Sequence, residues 1–174
     1  GRTFPHAYGE AGDKYLTTRL TLSPAGDELT LDFAKVLLNN ERLGQDEVPD
    51  SLAVSFSSTD YVGHIFGASS LETEDNLARL DRTLAELFAF IDNEVGLNNT
   101  LIVLSADHGQ PEVPGHLHEL GISKAHYFDT ETLDKKPAIT ALKKQFGIGG
   151  ELIQAYFQPY VYLNREVIQE KGLD

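Results

Sequence analysis

Ser51-Leu-Ala-Val-Ser-Phe56 and Thr100-Leu-Ile-Val-Leu-Ser105 decide the fold class of this chain. Each run is short, apolar and carries β-branched residues, the pattern of a strand buried on both faces. Between them Leu77, Leu80, Leu84, Leu87, Phe88, Ile91 and Val95 recur at steps of three and four, with Asp, Glu and Arg on the other faces. That spacing predicts one long amphipathic helix, ended by Gly96. Strand, loop, helix, strand is a β-α-β unit, whose strands are expected to run parallel with a right-handed crossover. The expected fold class is therefore α/β: part of a doubly wound, mostly parallel sheet flanked by helices, incomplete over this length.

Outward from that unit the reading is coarser. Residues 1–26 are polar and turn-rich. Asp27 is placed to cap a helix running from Glu28 to about Asn40, and Gly44 suits its exit. Asp60 to Ser70, with Gly63 and Gly67, reads as a loop, and Glu72 and Asp75 as caps of the long helix. After residue 110 the sequence predicts helices near 136–145 and 150–157 and a strand at Tyr160–Leu163. Gly147-Ile-Gly-Gly150 follows a helix rather than a strand, so it is a turn or helix end and not a dinucleotide-binding loop. No linker or repeat divides the chain, so residues 1–174 read as a single domain.

Composition narrows the chemistry. With 41% apolar and 24% charged residues, the 174 residues suffice for a globular domain with its own core. A formal net charge of −13 disfavours binding to a nucleic-acid backbone. It also attracts divalent cations, or simply keeps the chain soluble. The absence of cysteine rules out disulfides, thiolate metal sites and cysteine nucleophiles. Any metal must be held by His, Asp and Glu, which suits zinc, manganese or iron. No apolar run approaches the roughly 20 residues of a membrane helix, so membrane insertion is not expected. The opening Gly-Arg-Thr reads as that of a mature or excised piece.

Ligands of such sheets bind beyond the carboxyl ends of the strands. The clusters Ser57-Ser-Thr-Asp-Tyr-Val-Gly-His64 and Ser105-Ala-Asp-His-Gly109 begin there. Asp60, His64, Asp107 and His108 are thus expected to converge on one edge, two carboxylates and two imidazoles able to start a site for one or two divalent ions. A pair of such ions can clamp a phosphoryl group. Gly63 and Gly109 permit tight backbone paths beside the ligands. Singly, an Asp and a His four apart are often an exposed helix pair, and Asp-His-Gly a turn; their joint position points to metal. Ser57, Ser58 and Thr59 read as the turn that aims Asp60. His116 and His118 could share a metal in a strand, but Pro114–Glu119 reads as loop entering a helix. His6 and His126 read as surface or loop residues.

Pro49 to Gly109 resembles the alkaline phosphatase superfamily. The branch is that of nucleotide pyrophosphatase/phosphodiesterases and phosphate-irrepressible alkaline phosphatases. The residues that carry the resemblance are Ser57 to Gly67, Asp81 and Ala106-Asp107-His108-Gly109, and it continues weakly to Tyr160–Asn164. It implies an alkaline phosphatase-like sheet with two zinc ions at its carboxyl edge. Asp60 and His64 would bind one zinc with a later His; Asp107 and His108 would bind the other with an upstream Asp and a nucleophilic Thr or Ser. The implied reaction is hydrolysis of a small-molecule phosphate ester through a covalent phospho-enzyme. The implied location is periplasmic or otherwise extracytoplasmic. Thr17, Thr18 and Thr21 lack the context of that nucleophile, and the later His is not found. The chain is thus expected to be an internal fragment, inactive alone and binding zinc weakly. Mono- and diester substrates are not distinguished. Rival readings are a sulfatase, phosphonate hydrolase or phosphomutase-like member of the superfamily, or a non-catalytic α/β interaction module. An incomplete sheet leaves an unpaired edge, from which self-association is expected.

Overall fold

A computed structural model describes residues 4–173. They divide into two compact units, one ending at Ser123 and one beginning at Lys124. No helix among the described residues is long and apolar enough to cross a membrane.

The first unit is helical: α1 (Leu16–Thr21), α2 (Pro24–Asn40), α3 (Ser57–Phe66), α4 (Leu71–Glu94) and α5 (Pro114–Glu119). Pro24 follows extended Ser23 and starts α2 earlier than Glu28, because its fixed φ already suits a first helical turn. Asp27 is therefore inside the helix and not its cap. It heads a buried stripe, Asp27, Leu31, Ala34 and Leu38. Burying Leu31 or Leu38 contributes about 1.5–3 kcal/mol each.

The long helix is α4, but its buried face is not the leucine stripe. Thr73, Asn76, Thr83 and Leu87 are buried, whereas Leu77 is 51% exposed. Each polar side chain on this face donates a hydrogen bond: Thr73 to the Gly67 carbonyl, Asn76 to Thr59 and Thr83 to the Arg79 carbonyl, while Asn76 Oδ1 has no partner among the described residues. The Ser70 hydroxyl, not Glu72 or Asp75, accepts the Thr73 N–H and caps the helix. Glu72 instead pairs with His6 at 3.0 Å. His6 stacks on Phe66, so it is an anchor and not a loose surface residue. α2, α3 and α4 pack on one another.

The residues expected as a loop after Phe56 form α3. The two runs expected as parallel strands carry no ladder. In residues 51–56 burial alternates, with Leu52, Val54 and Phe56 partly covered and Ser51, Ala53 and Ser55 exposed. Leu101, Val103 and Leu104 are 89%, 79% and 81% exposed. A strand of a doubly wound sheet takes its hydrogen bonds and cover from neighbours on both sides, and among the described residues no ladder joins either run to another.

The second unit holds a 3₁₀ turn (Thr130–Lys135), α6 (Pro137–Gln145), β1 (Ile153–Phe157), β2 (Tyr160–Leu163) and α7 (Arg165–Glu170). β1 and β2 form an antiparallel hairpin with Ala155 opposite Tyr162 and Phe157 opposite Tyr160. The helix expected near 150–157 is thus a strand. Asp134 shapes its entry: one carboxylate oxygen accepts the N–H groups of Leu152 and Ile153, both at 2.8 Å, and the other pairs with Lys143 at 2.6 Å. Ile148 and Leu152 are the buried apolar residues here.

Candidate metal centre

Helical spacing brings the first two candidate ligands together. Asp60 and His64 lie one turn apart on α3, so their side chains share a face. His64 Nε2 stands 3.2 Å from Asp60 Oδ1. Asp60 sits in the first turn of α3 and His64 in the last, where carboxylate and imidazole charges each suit the helix dipole.

The second cluster reaches the first across the loop after residue 105. His108 Nε2 lies 3.4 Å from the same Asp60 Oδ1, and the His64 and His108 ring centroids are 5.2 Å apart. Asp60, His64 and His108 each offer one ligand atom, all within 4.8 Å of one another. Asp107 is held beside them: its Oδ1 accepts the His108 N–H at 2.9 Å, and its Oδ2 lies 3.5 Å from His108 Nε2. The structure thus brings three of the four expected residues into one cluster and puts the fourth against its edge.

Three side chains beyond the Asp-His-Gly run fasten this loop to α3. Gln110 Nε2 donates to the Asp60 carbonyl at 2.8 Å. Glu112 accepts the Ser69 N–H at 3.3 Å and also takes the Ser69 hydroxyl. Val113 packs on Gly67, where φ is +99° and the helix ends. Gly63 earns its place by close approach, since a Cβ there would fall on the Gln110 amide. Gly109 has open space around it and is not crowded. Gln110 was not singled out in the sequence; its only signal is its place directly after the ligand motif.

The protonation of His108 follows from its partners. Nδ1 lies 3.0 Å from the Gly109 carbonyl, an acceptor only, so Nδ1 carries a proton. In the neutral ring Nε2 then presents a lone pair to Asp60 Oδ1. Two lone pairs at that distance repel unless a positive centre lies between them. A second ring proton is one such centre. Accordingly the Gly109 carbonyl first, then Asp107 and more weakly Asp60, hold the His108 imidazole above its usual range. A divalent cation is the other. Two ligands bound to zinc at about 2.0–2.1 Å and a tetrahedral angle stand about 3.4 Å apart. The Asp60–His64 separation of 3.2 Å fits that spacing for one ion, and the Asp107–His108 separation of 3.5 Å fits it for a second. One carboxylate and two imidazoles are also a donor set that zinc favours.

The remaining histidines lie elsewhere. His116 is paired with Glu119 at 3.6 Å on α5, and His126 contacts the Lys124 carbonyl. His118 is on α5 with His116. Thr17, Thr18 and Thr21 are on α1. Ser57, Ser58 and Thr59 form the first turn of α3, and Ser58 and Thr59 bond to Asp27.

Comparison with known proteins shows the family and the fold. Residues 7–171 match the family model of type I phosphodiesterase / nucleotide pyrophosphatase. A protein of Myroides odoratus named calcium-transporting ATPase is 40% identical over 87% of this chain and 28% of its own length. Alkaline phosphatase PafA of Elizabethkingia meningoseptica is 37% identical over 99% of this chain and 31% of its own. A crystal structure of wild-type PafA superposes with a TM-score of 0.82 at 33% identity, over 99% of this chain and 32% of that one. The chain thus has part of the alkaline phosphatase-like α/β fold, and spans about a third of the length of these relatives.

Proposed function

The chain belongs to the type I phosphodiesterase / nucleotide pyrophosphatase family, and from that membership we propose that it forms the metal-binding part of a zinc-dependent hydrolase of small-molecule phosphate esters. The observation that carries this reading is that Nε2 of both His64 and His108 is turned on one oxygen of Asp60. Zinc, when bound, supplies Lewis-acid polarisation of a phosphoryl oxygen. In the proposed two-zinc arrangement Asp60 and His64 would hold one ion and Asp107 and His108 the other, and the Asp60 oxygen that faces both imidazoles keeps the two pairs together.

The residues of the chain have distinct tasks in this reading. His108 Nδ1–H, donating to the Gly109 carbonyl, fixes the tautomer and leaves Nε2 as the ligand atom. Asp107 orients His108 through the backbone N–H it accepts. Gln110 holds the Asp60 carbonyl and so keeps the two ligand clusters in register. The convergent groups are a carboxylate and two imidazoles. The nucleophilic Thr or Ser of the proposed phospho-enzyme is therefore a further residue, and the isolated chain is expected to be inactive. The proposed location is periplasmic or extracytoplasmic, as is the case implied by the resemblance.

The test is a chimera in which residues 7–171 replace the matching segment of the Elizabethkingia relative. It should hydrolyse p-nitrophenyl phosphate when loaded with zinc, and Asp60→Ala or His64→Ala should abolish this. A folded, zinc-loaded chimera whose activity survives both substitutions would exclude the assigned ligands. ATP belongs among the substrates tried, given the name of the Myroides relative.

A further inference from the structure

The first turn of a helix has N–H groups without intrahelical partners. At the start of α3 the capping position is Phe56, which has no side-chain acceptor, and no side-chain cap forms there. The missing acceptor comes from another helix. Asp27 Oδ1, on α2, accepts the Ser58 N–H at 3.0 Å, and its Oδ2 accepts the Thr59 hydroxyl at 2.9 Å. Thr59 Oγ1 in turn accepts from Asn76 Nδ2 of α4 at 2.8 Å. Asp27, Ser58 and Asn76 are 2%, 4% and 1% exposed.

We infer that Asp27 is a positioning residue for the metal centre: its buried carboxylate fixes the first turn of α3 and thereby sets Asp60 against His64 and His108. This rests on the metal-binding reading above.

Three features give the inference its force. A buried carboxylate is costly unless hydrogen-bonded, so its presence here needs a compensating set of donors, and α3 provides them. α3 has 10 residues, too short to be stable alone in water, where about 12–15 residues are marginal. Asp60 directly follows Thr59, so any loosening of that turn moves the ligand oxygen shared by both imidazoles. Burial pushes the Asp27 carboxyl up from its usual range, and the bonds from Thr59, Ser58 and Asn76 oppose this.

The experiment is zinc calorimetry with far-ultraviolet circular dichroism on five forms of the chain: native, Asp27→Asn, Thr59→Val, Leu38→Ala and Asp60→Ala. Asn at position 27 is isosteric but can accept through one oxygen only. Leu38 is buried in the same stripe of α2, toward its far end, so its loss weakens packing without touching α3's first turn. Asp27→Asn should keep its helical spectrum and bind zinc about tenfold or more weakly. Leu38→Ala should melt earlier yet bind within about twofold of native. Thr59→Val, which removes the hydroxyl donor to Asp27 and leaves the Ser58 N–H, should fall between. Native affinity in Asp27→Asn, or an equal loss in Leu38→Ala, would overturn the inference while leaving the metal site standing. A native chain that takes up no zinc, or an Asp60→Ala variant that binds as well as native, would remove the metal reading and this inference with it.

Discussion

Gln110 Nε2 donates to the main-chain carbonyl of Asp60 at 2.8 Å, a bond from the loop that carries His108 to the backbone of a residue of the helix that carries Asp60 and His64. The Gln110 amide can come so close only because residue 63, next to it on α3, has no side chain.

Gly63→Ala should therefore be harmful despite the roughly 1 kcal/mol by which alanine outranks glycine within a helix. It should lower the melting temperature and weaken zinc binding. Adding Gln110→Ala to Gly63→Ala removes the clash and should restore thermal stability above that of Gly63→Ala alone, though zinc binding should stay weak for want of the Asp60 anchor. Thermal denaturation and calorimetry of the single and double variants check this. A Gly63→Ala variant more stable than native would contradict it.

In the metal-free chain His108 should titrate above the usual histidine value of about 6.5, because the Gly109 carbonyl, Asp107 and Asp60 favour its protonated form. Its contribution to folded-state stability is then fully present below the unfolded value and is lost as pH rises through the folded one. Zinc needs the neutral ring, so its uptake should weaken as pH falls through the same window. Proton NMR titration of the imidazole resonances tests this, and Asp107→Asn should lower the midpoint. A midpoint at or below the usual value would count against the geometry drawn for His108.

The second unit gives a prediction of opposite sign. Burial alone would raise the Asp134 carboxyl, but Lys143 and the N–H groups of Ile153 and Leu152 outweigh it and hold it below its usual range. A depressed carboxyl contributes stability above its unfolded value, about 3.9, which is lost as pH falls through the folded value. Asp134→Asn should cost about 1–3 kcal/mol at neutral pH and flatten the acid limb of stability below about pH 4. Urea unfolding followed through the hairpin tyrosines Tyr156, Tyr160 and Tyr162 measures both.

How far the sequence disclosed this arrangement differs from part to part. The positions of α2, α4, α6 and β2 are legible in apolar spacing and turn residues, and two short motifs mark the residues that the structure brings into one cluster, Asp60, His64 and His108, with Asp107 beside it. α3 is not legible, because the acceptor that starts it is Asp27, remote in sequence, and because Gly63 and the run Ser57-Ser-Thr-Asp60 locally favour a turn. The buried face of α4 escapes a reading by hydrophobicity, since it is built on Thr73, Asn76 and Thr83. β1 reads as helix in the sequence; its strand form comes from pairing with β2, and Asp134, another remote partner, fixes only its entry. The runs at 51–56 and 100–105 show the apolar character of sheet strands without pairing, since that character records neighbours and pairing requires them.

The exposed run Leu101, Val103 and Leu104 carries its own expectation. Apolar residues this open, on a segment without strand neighbours, favour association between copies. Light scattering coupled to size exclusion should find a mass above that of one chain, rising with concentration, and Leu101→Lys with Val103→Lys should reduce it. A concentration-independent monomer would contradict this.

The convergence of Asp60, His64 and His108 on a metal is tested most directly by titrating the chain with zinc in a calorimeter beside a variant with Asp60, His64, Asp107 and His108 all changed to alanine. Saturable binding by the native chain, absent from the variant, is the predicted result. Equal binding by both, or none by either, would show that the two motifs do not form a metal centre in this chain.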